Sequence, residues 1–394
     1  MINEAKMNDS NPVIVVVAYN RADSLNRLLQ SLLYAKDISS AKLIISIDNQ
    51  EPHNYDVKKL AESFTWPFGE KEVRYQAEHL GLKKHVLQCG DLSREYGAVI
   101  VLEDDLFVSP YFYSYAISAM KFYGNDEQIG GISLYNQPRQ EAEELPFMPL
   151  TDHSDVYFLQ LPSSLGQLWT RDQWTQFRTW FDSKPDLSTI PVPDYIIRWP
   201  ETSWKKYFAA FLLDADKFFV YPRISLTTNF FDAGTHMNDS SSHNGQTQLM
   251  LFNPVPRYIK LEDSNCIYDM HLELITESVR ELSVEQIEYD FELDLYGSKG
   301  IDKIKSPYVI TSRPCSNPIK GYRRALKPHE MNVLLNLEGT ELSLCKKEDI
   351  IIRETDSAER LAEFKYYHTS YIRGTKFFVY RYFRNRKWLQ QFFK

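Results

Sequence analysis

Residues 98–110 read AVIVLEDDLFVSP. Val99 to Leu102 form an apolar run with the make-up of a fully buried strand, and three acids, Glu103, Asp104 and Asp105, follow at once. An unpaired carboxylate is too costly to bury, so these side chains must leave the core where the strand ends. In an open α/β sheet that edge is where ligands bind. Clustered acidic oxygens there suit a hard divalent cation, which commonly bridges protein to substrate phosphates. The stretch therefore points to nucleoside-diphosphate chemistry, although taken alone it fits a solvated loop equally well. Its surroundings favour the first reading: strand and helix patterns alternate before it, and Ser109 and Pro110 open an aromatic helix after it.

Working outward, Val13 to Ala18 reads as another buried strand. Asp23 or Ser24 can cap the helix that follows, whose Leu25, Leu28, Leu29, Leu32 and Leu33 make one apolar stripe. Leu43 to Ile47 is a second strand closed by Asp48 and Asn49. Then come a helix near Tyr55 to Phe64, a short strand near Val73 to Gln76 and a helix over Lys83 to Tyr96. Strands alternating with helices imply an α/β fold with a mostly parallel, doubly wound sheet. Right-handed crossovers then gather Tyr19-Asn20-Arg21, Asp48 and the acidic triplet along one edge.

The chain has 394 residues, enough for one large domain with an appendage or for two domains. Its 43% hydrophobic and 25% charged residues are those of a soluble globular protein, and a net charge of −8 argues against a general nucleic-acid binder. The four cysteines lack CxxC spacing, which excludes the usual zinc and redox motifs and fits a reduced, cytosolic setting. The opening MINEAKMNDSNP lacks the apolar stretch of a secretion signal, and no apolar run reaches membrane-spanning length. The expectation is a cytoplasmic protein that meets any membrane from its inner face.

Three regions follow. Residues 11–260 hold the sheet and a Trp-rich section (Trp169, Trp174, Trp180, Trp199, Trp204), whose loops are expected over the sheet edge as an acceptor pocket. Residues 261–364 read as an accessory region, with helices over Leu272 to Leu295 and then irregular chain. Residues 365–394 carry eight Lys or Arg, eleven aromatics and no acid. That tail suits an anionic membrane interface, with a terminal helix packed on the body or on a partner as the alternative.

At this point the sequence resembles a glycosyltransferase of the GT-A type. VVVAYNRADSLNRLLQSLL resembles the opening of that fold. VLEDDLFVSPYFYSY resembles its acidic "DXD" element in the Glu-Asp-Asp form of animal N-acetylglucosaminyltransferase I. The ordered set GLKKHVLQCGDLSREYGAVIVLEDDL, GISLYN, GQLW and NFFDAGTHM is similar to bacterial capsule and O-antigen glycosyltransferases. The resemblance implies that Asn20 and Arg21 begin the nucleotide pocket. Asp48 would contact the uracil or ribose of a UDP-sugar, and Asp104 would lie near the ribose. Asp105 would bind Mn²⁺ or Mg²⁺ directly, with Glu103 in support. His236, in Gly-Thr-His, would be a metal or phosphate ligand. The partners implied are a UDP-sugar donor and a saccharide acceptor, lipid-linked acceptors included.

Related sequences carry an Asp after the Trp of the segment that here reads WPETSWKKYF, and Lys205 stands in its place. Glu201 is the nearest carboxylate and the candidate catalytic base for an inverting transfer; Asp152, Asp155 and Asp194 are alternatives. Two other functions compete. One is a non-catalytic carbohydrate-binding or scaffolding subunit, favoured by Lys205 and disfavoured by the intact acidic triplet. The other is a sugar-phosphate nucleotidyltransferase, disfavoured because AYNRADS has no glycine to hold a triphosphate.

Overall fold

A run of β-branched and apolar residues makes the first strand, β1 (Val13–Ala18), buried at every position. The computed structural model describes residues 11–50, 52–230, 232, 246–252, 255–353, 362–363 and 365–367. After β1 come α1 (Ala22–Leu32), β2 (Leu43–Ile47), α2 (Tyr55–Ser63), β3 (Lys71–Tyr75), α3 (Gly81–Tyr96) and β4 (Ala98–Glu103). β1, β2 and β4 thus fall where the apolar runs place them, and β3, expected near Val73 to Gln76, is the half-buried KEVRY segment starting at Lys71. The predicted cap of α1 does not form. The helix starts at Ala22, its N-cap is Arg21, and no side chain caps it.

The chain continues through β5 (Leu106–Val108), α4 (Phe112–Tyr123), β6 (Ile129–Ser133), β7 (Val156–Leu159) and β8 (Gln167–Thr170). Then follow α5 (Arg171–Asp182), α6 (Asp194–Ile197), α7 (Trp204–Asp214), β9 (Phe218–Pro222), β10 (Thr227–Asn229) and β11 (Ile267–Tyr268). Nine strands form one sheet in the order β11-β7-β9-β6-β8-β4-β1-β2-β3. β4, β1, β2 and β3 run parallel, and β8 inserts antiparallel between β4 and β6. The short pair β5–β10 lies apart and holds the chain beyond β9 against the end of β4.

Side chains alternate across the sheet, so each strand feeds two cores. Val13, Val15 and Val17 join Val99 and Val101 in a core with Val86, Trp174 and Phe208 of α3, α5 and α7. Ile14, Val16, Ile100 and Leu102 face the other way, toward Leu25 and Leu28 of α1, Val57 of α2 and Phe112 of α4. Helices on both faces make the sheet doubly wound, as expected.

The Trp-rich section divides by burial. Trp169, Trp174 and Trp204 are fully enclosed, with Trp169 4.6 Å from Trp174 and edge-on to Trp204 at 5.5 Å between ring centroids. They are core rather than pocket, because an indole has more apolar area to bury than any other side chain. The cluster also pins the first residue of α7, where Ser203 caps the helix through the Lys206 amide.

Beyond β11 the structure departs from the helical reading of Leu272 to Leu295. Only α8 (Thr276–Leu282) is α-helical there, and Phe291–Asp294 is a strand, β12. With β13 (Tyr308–Thr311), β14 (Lys320–Tyr322) and β15 (Leu342–Lys346) it forms a four-stranded mixed sheet in the order β12-β13-β15-β14. A short helix, α9 (Met331–Leu334), precedes β15. The apolar spacing of this region fits either period, and strand pairing decides it. Among the described residues no helix is long and apolar enough to cross a membrane.

Candidate active site

The parallel register brings the ends of β1, β2 and β4 to one edge. The Asp104 amide donates to the Val17 carbonyl at 3.1 Å, and the Asp48 amide donates to the Ala18 carbonyl at 2.9 Å. The predicted convergence of the Tyr19–Arg21 turn, Asp48 and the acidic triplet is thus present in hydrogen bonds.

Arg21 leads into α1 and turns its side chain into the corner. Its guanidinium pairs with both Asp104 and Asp105, reaching Asp105 Oδ2 at 3.0 Å. The other oxygen of Asp105 accepts from Asn229 Nδ2 at 3.2 Å, and the Asp105 carbonyl accepts from the Phe230 amide at 3.2 Å. Ser24 donates to Asp232 Oδ2 at 2.6 Å, Arg27 pairs with the same carboxylate, and the Arg27 guanidinium lies 4.0 Å over the Phe230 ring. Helix α1 therefore clasps the segment after β10 across the acidic corner. Asn229 and Asp232 were missed by the sequence reading, although both lie in the NFFDAGTHM stretch it singled out.

Burial at this edge raises the proton affinity of Glu103 and Asp104. Burial, then repulsion from Asp105 and Asp104, pushes Glu103 up to about 8, with Arg21 and Lys205 pulling the other way. Asp104 is pushed up to about 6, again by burial, against the opposing pull of Arg21. The single Arg21 guanidinium is shared between the two aspartates.

Asp48 is engaged more fully than its expected nucleotide role implies. Oδ1 accepts from the amides of Asn49 and Leu80 at 2.9 and 2.8 Å, and Oδ2 accepts from the Gly81 amide at 2.9 Å. His79 Nδ1 lies 3.0 Å from the same Oδ2. The carboxylate thereby ties the end of β2 to the start of α3. His79 in turn stacks on Tyr19, with ring centroids 5.3 Å apart and planes 26° apart. This aromatic pair at the sheet edge had no signal in the sequence, because its members are 60 positions apart. Asn20 faces solvent and donates to Gln50 Oε1 at 2.8 Å.

Glu201 is placed at the surface. Its side chain is 71% exposed, paired with Lys206 and bonded by the Tyr207 hydroxyl, and these contacts hold its pKa below the usual carboxylate range. Of the alternatives, Asp152 pairs with Arg223 and Asp155 with Arg257. Asp194 opens α6. His236 and the tail beyond residue 367 lie outside the described residues.

The doubly wound α/β sheet thus carries an acidic corner at its strand ends. The chain matches the GNT-I family model over residues 2–263 and belongs to the GNT-I family. A comparison with curated proteins finds no match. Among solved structures, similarity is confined to part of each chain. A mannosyltransferase from Pyrobaculum calidifontis, in complex with GDP-Man and Mn²⁺, is 13% identical over 43% of this chain and 49% of its own, with a TM-score of 0.29. TarS 1-349 of S. aureus, in complex with UDP-GlcNAc, is 11% identical over 59% and 61%, with a TM-score of 0.36. GalNAc-T7 with UDP, GalNAc and Mn²⁺ is 10% identical over 55% and 43%, with a TM-score of 0.37. The matched part is thus less than two thirds of each of these structures.

Proposed function

We propose that the protein is a metal-dependent, inverting glycosyltransferase that moves a sugar from a UDP-sugar to a saccharide acceptor of a bacterial surface polysaccharide, capsule or O-antigen. Membership of the GNT-I family supports sugar transfer. The observation that carries the reading is the Glu103-Asp104-Asp105 corner, buried at the strand ends and only partly neutralised by Arg21.

The donor set fits a divalent cation. Carboxylate oxygens are hard ligands, and one guanidinium is shared between two of the three carboxylates at the corner. Among the described residues no three His, Cys, Asp or Glu side chains are grouped to hold a metal by themselves. In nucleotide enzymes Mg²⁺ and Mn²⁺ are commonly held by one or two carboxylates together with substrate phosphates and water. Asp105 is the residue that would hold the cation, with Asp104 and Glu103 beside it and His236 as a further candidate. When bound, such a cation neutralises the leaving diphosphate and orients it. Arg21 contributes positive charge at the same corner, Asp48 fixes the start of α3, and the Tyr19–His79 pair offers a face for the base. The basic, aromatic tail is assigned to an anionic membrane surface, which suits lipid-linked acceptors and a location at the inner face of the cell membrane.

The test is calorimetric titration of UDP and several UDP-sugars, with and without Mn²⁺, on the wild type and Asp105→Ala. Metal-dependent binding lost in the variant supports the reading and ranks the donors. No binding by the wild type under any metal condition overturns it in favour of a carbohydrate-binding scaffold.

A further inference from the structure

We propose that Glu141 is the general base of this transferase and that Lys205 positions it, in a cavity beside Glu103 that receives the acceptor saccharide. The proposal rests on the transferase reading above and adds to it the residue that the sequence failed to supply.

The cavity has a volume of about 320 Å³, and Tyr135, Arg139, Glu141, Ser163, Trp199 and Lys205 are among its lining. An aromatic face with several polar groups around it suits a sugar, whose rings present C–H faces and hydroxyl edges. Its place in the fold follows from strand register. Val101 of β4 pairs with Gln167 of β8, so the chain just before β8, Ser163 to Gly166, runs alongside Leu102 and Glu103. Gly166 sits at φ +96°, and a Cβ there would lie 3.4 Å from Leu102. The wall of the cavity is therefore next to the acidic corner.

Lys205 connects the two. It stands on the first turn of α7, directly after the buried Trp204. Its ammonium is 2.8 Å from Glu141 Oε1 and 4.9 Å over the Trp199 ring, and its charge reaches Glu103. Helix α7 thus carries a cation where an acid was expected, and the loop between β6 and β7 delivers a carboxylate to that cation. The carboxylate needed at this point is present, supplied by a residue 64 positions away. Nothing local marks Glu141, since EAEE (141–144) reads as a solvated acidic turn. By contrast Glu201 lies outside this lining and is held by Lys206 and Tyr207.

A general base must be ionised and within reach of the proton it removes. Glu141 is partly exposed to the cavity, and its Oε1 is held by the Lys205 ammonium at 2.8 Å. The other titratable or charged groups around it are Arg139, Glu144, Tyr135, Tyr195 and Tyr221; burial raises the pKa of all three tyrosines, which stay neutral. An acceptor hydroxyl gives its proton to the Glu141 carboxylate as its oxygen bonds to the anomeric carbon of the donor. The bond from that carbon to the phosphate oxygen breaks, and its electron pair leaves with UDP.

The 394-residue chain with Mn²⁺ and five UDP-sugars (Glc, Gal, GlcNAc, GalNAc, GlcA) provides the test, with UDP release measured when water is the acceptor. Glu141→Gln is expected to lower kcat about 10²- to 10⁴-fold. It should also abolish the acid limb of the kcat–pH profile while leaving the calorimetric Kd for UDP within twofold. Lys205→Ala, which frees Glu141 from its fixed contact, should lower kcat with the Kd for UDP unchanged, and Lys205→Arg should restore it. A Glu141→Gln variant that keeps kcat and its acid limb overturns the proposal. So does loss of turnover in Glu201→Gln alone, or a wild type that binds UDP-sugars without releasing UDP. Failure of the wild type to bind UDP at all overturns the transferase reading instead.

Discussion

Arg21 Nη1 lies 3.0 Å from Asp105 Oδ2, an ion pair between residues 84 positions apart that closes the acidic corner. The same guanidinium pairs with Asp104. Removing it leaves two largely buried carboxylates repelling each other. Arg21→Ala is therefore expected to lower stability by about 2 kcal/mol, less than for a fully buried pair because the arginine retains some exposure. A cation held by Asp105 supplies charge at the same place. Millimolar Mn²⁺ should then raise the Tm of Arg21→Ala more than that of the wild type, and the difference should vanish in Arg21→Ala/Asp105→Asn. Equal Tm shifts in all three proteins would place the cation elsewhere.

Asp48 holds three backbone amides and His79 with its two oxygens. Asp48→Ala strands those donors where β2 meets α3, and about 2–3 kcal/mol of stability is expected to be lost in urea unfolding. Asp48→Asn keeps one acceptor oxygen and should cost roughly half as much by the same reasoning. Because the chain already engages both oxygens, UDP affinity of Asp48→Asn is expected to stay within threefold of wild type. A larger drop would assign the carboxylate to the nucleotide itself.

The half of the fold that carries the site was legible because β1, β2 and β4 are continuous apolar runs with helices of clear period between them. Strand β2 coincides with the Leu43 to Ile47 run, and Asp48 and the triplet sit at strand ends where charge has to emerge. What was not legible depends on distant partners. Asn229 reaches Asp105 only because β10 pairs with β5, and Glu141 meets Lys205 only through the packing of α7. The tryptophans misled for a related reason. Composition cannot separate an indole that lines a cavity, such as Trp199, from one that fills a core, such as Trp169. The module beyond residue 290 failed on period, since short apolar stretches there serve strands rather than helices.

Gly90 lies inside α3 facing the Trp174 ring, and a Cβ built there would come within 2.2 Å of the indole. The indole cannot yield freely, because its Nε1 donates to Asp91 Oδ1 at 2.8 Å and its faces pack on Trp169 and Phe177. Gly90→Ala would ordinarily favour a helix, but here overpacking should dominate at a net cost of about 1–3 kcal/mol. Trp174→Phe in the same background is expected to recover part of that loss in urea unfolding by making room for the methyl group. Additive losses in the double variant would show that the clash lies elsewhere.

His85 sits on α3 beneath the sheet, its Nε2 2.7 Å from Ser46 Oγ, and burial drives its pKa down to about 4 from an ordinary value near 6.5. The unfolded chain takes up a proton near pH 6.5, whereas the folded chain resists protonation until about pH 4. The contribution of this histidine is therefore complete above pH 6.5 and is lost as pH falls toward 4. At 1.36 kcal/mol per unit, the loss amounts to about 3 kcal/mol. Glu103 and Asp104 act in the opposite sense, because their raised pKa values favour the folded state as acid is added. The wild-type profile alone thus mixes both effects, and a difference between two proteins separates them. His85→Gln should unfold more easily than wild type at pH 7.5, with the gap closing by pH 4.5 in urea titrations. A gap that stays constant across that range would mean that His85 carries its proton inside the fold, contrary to its burial.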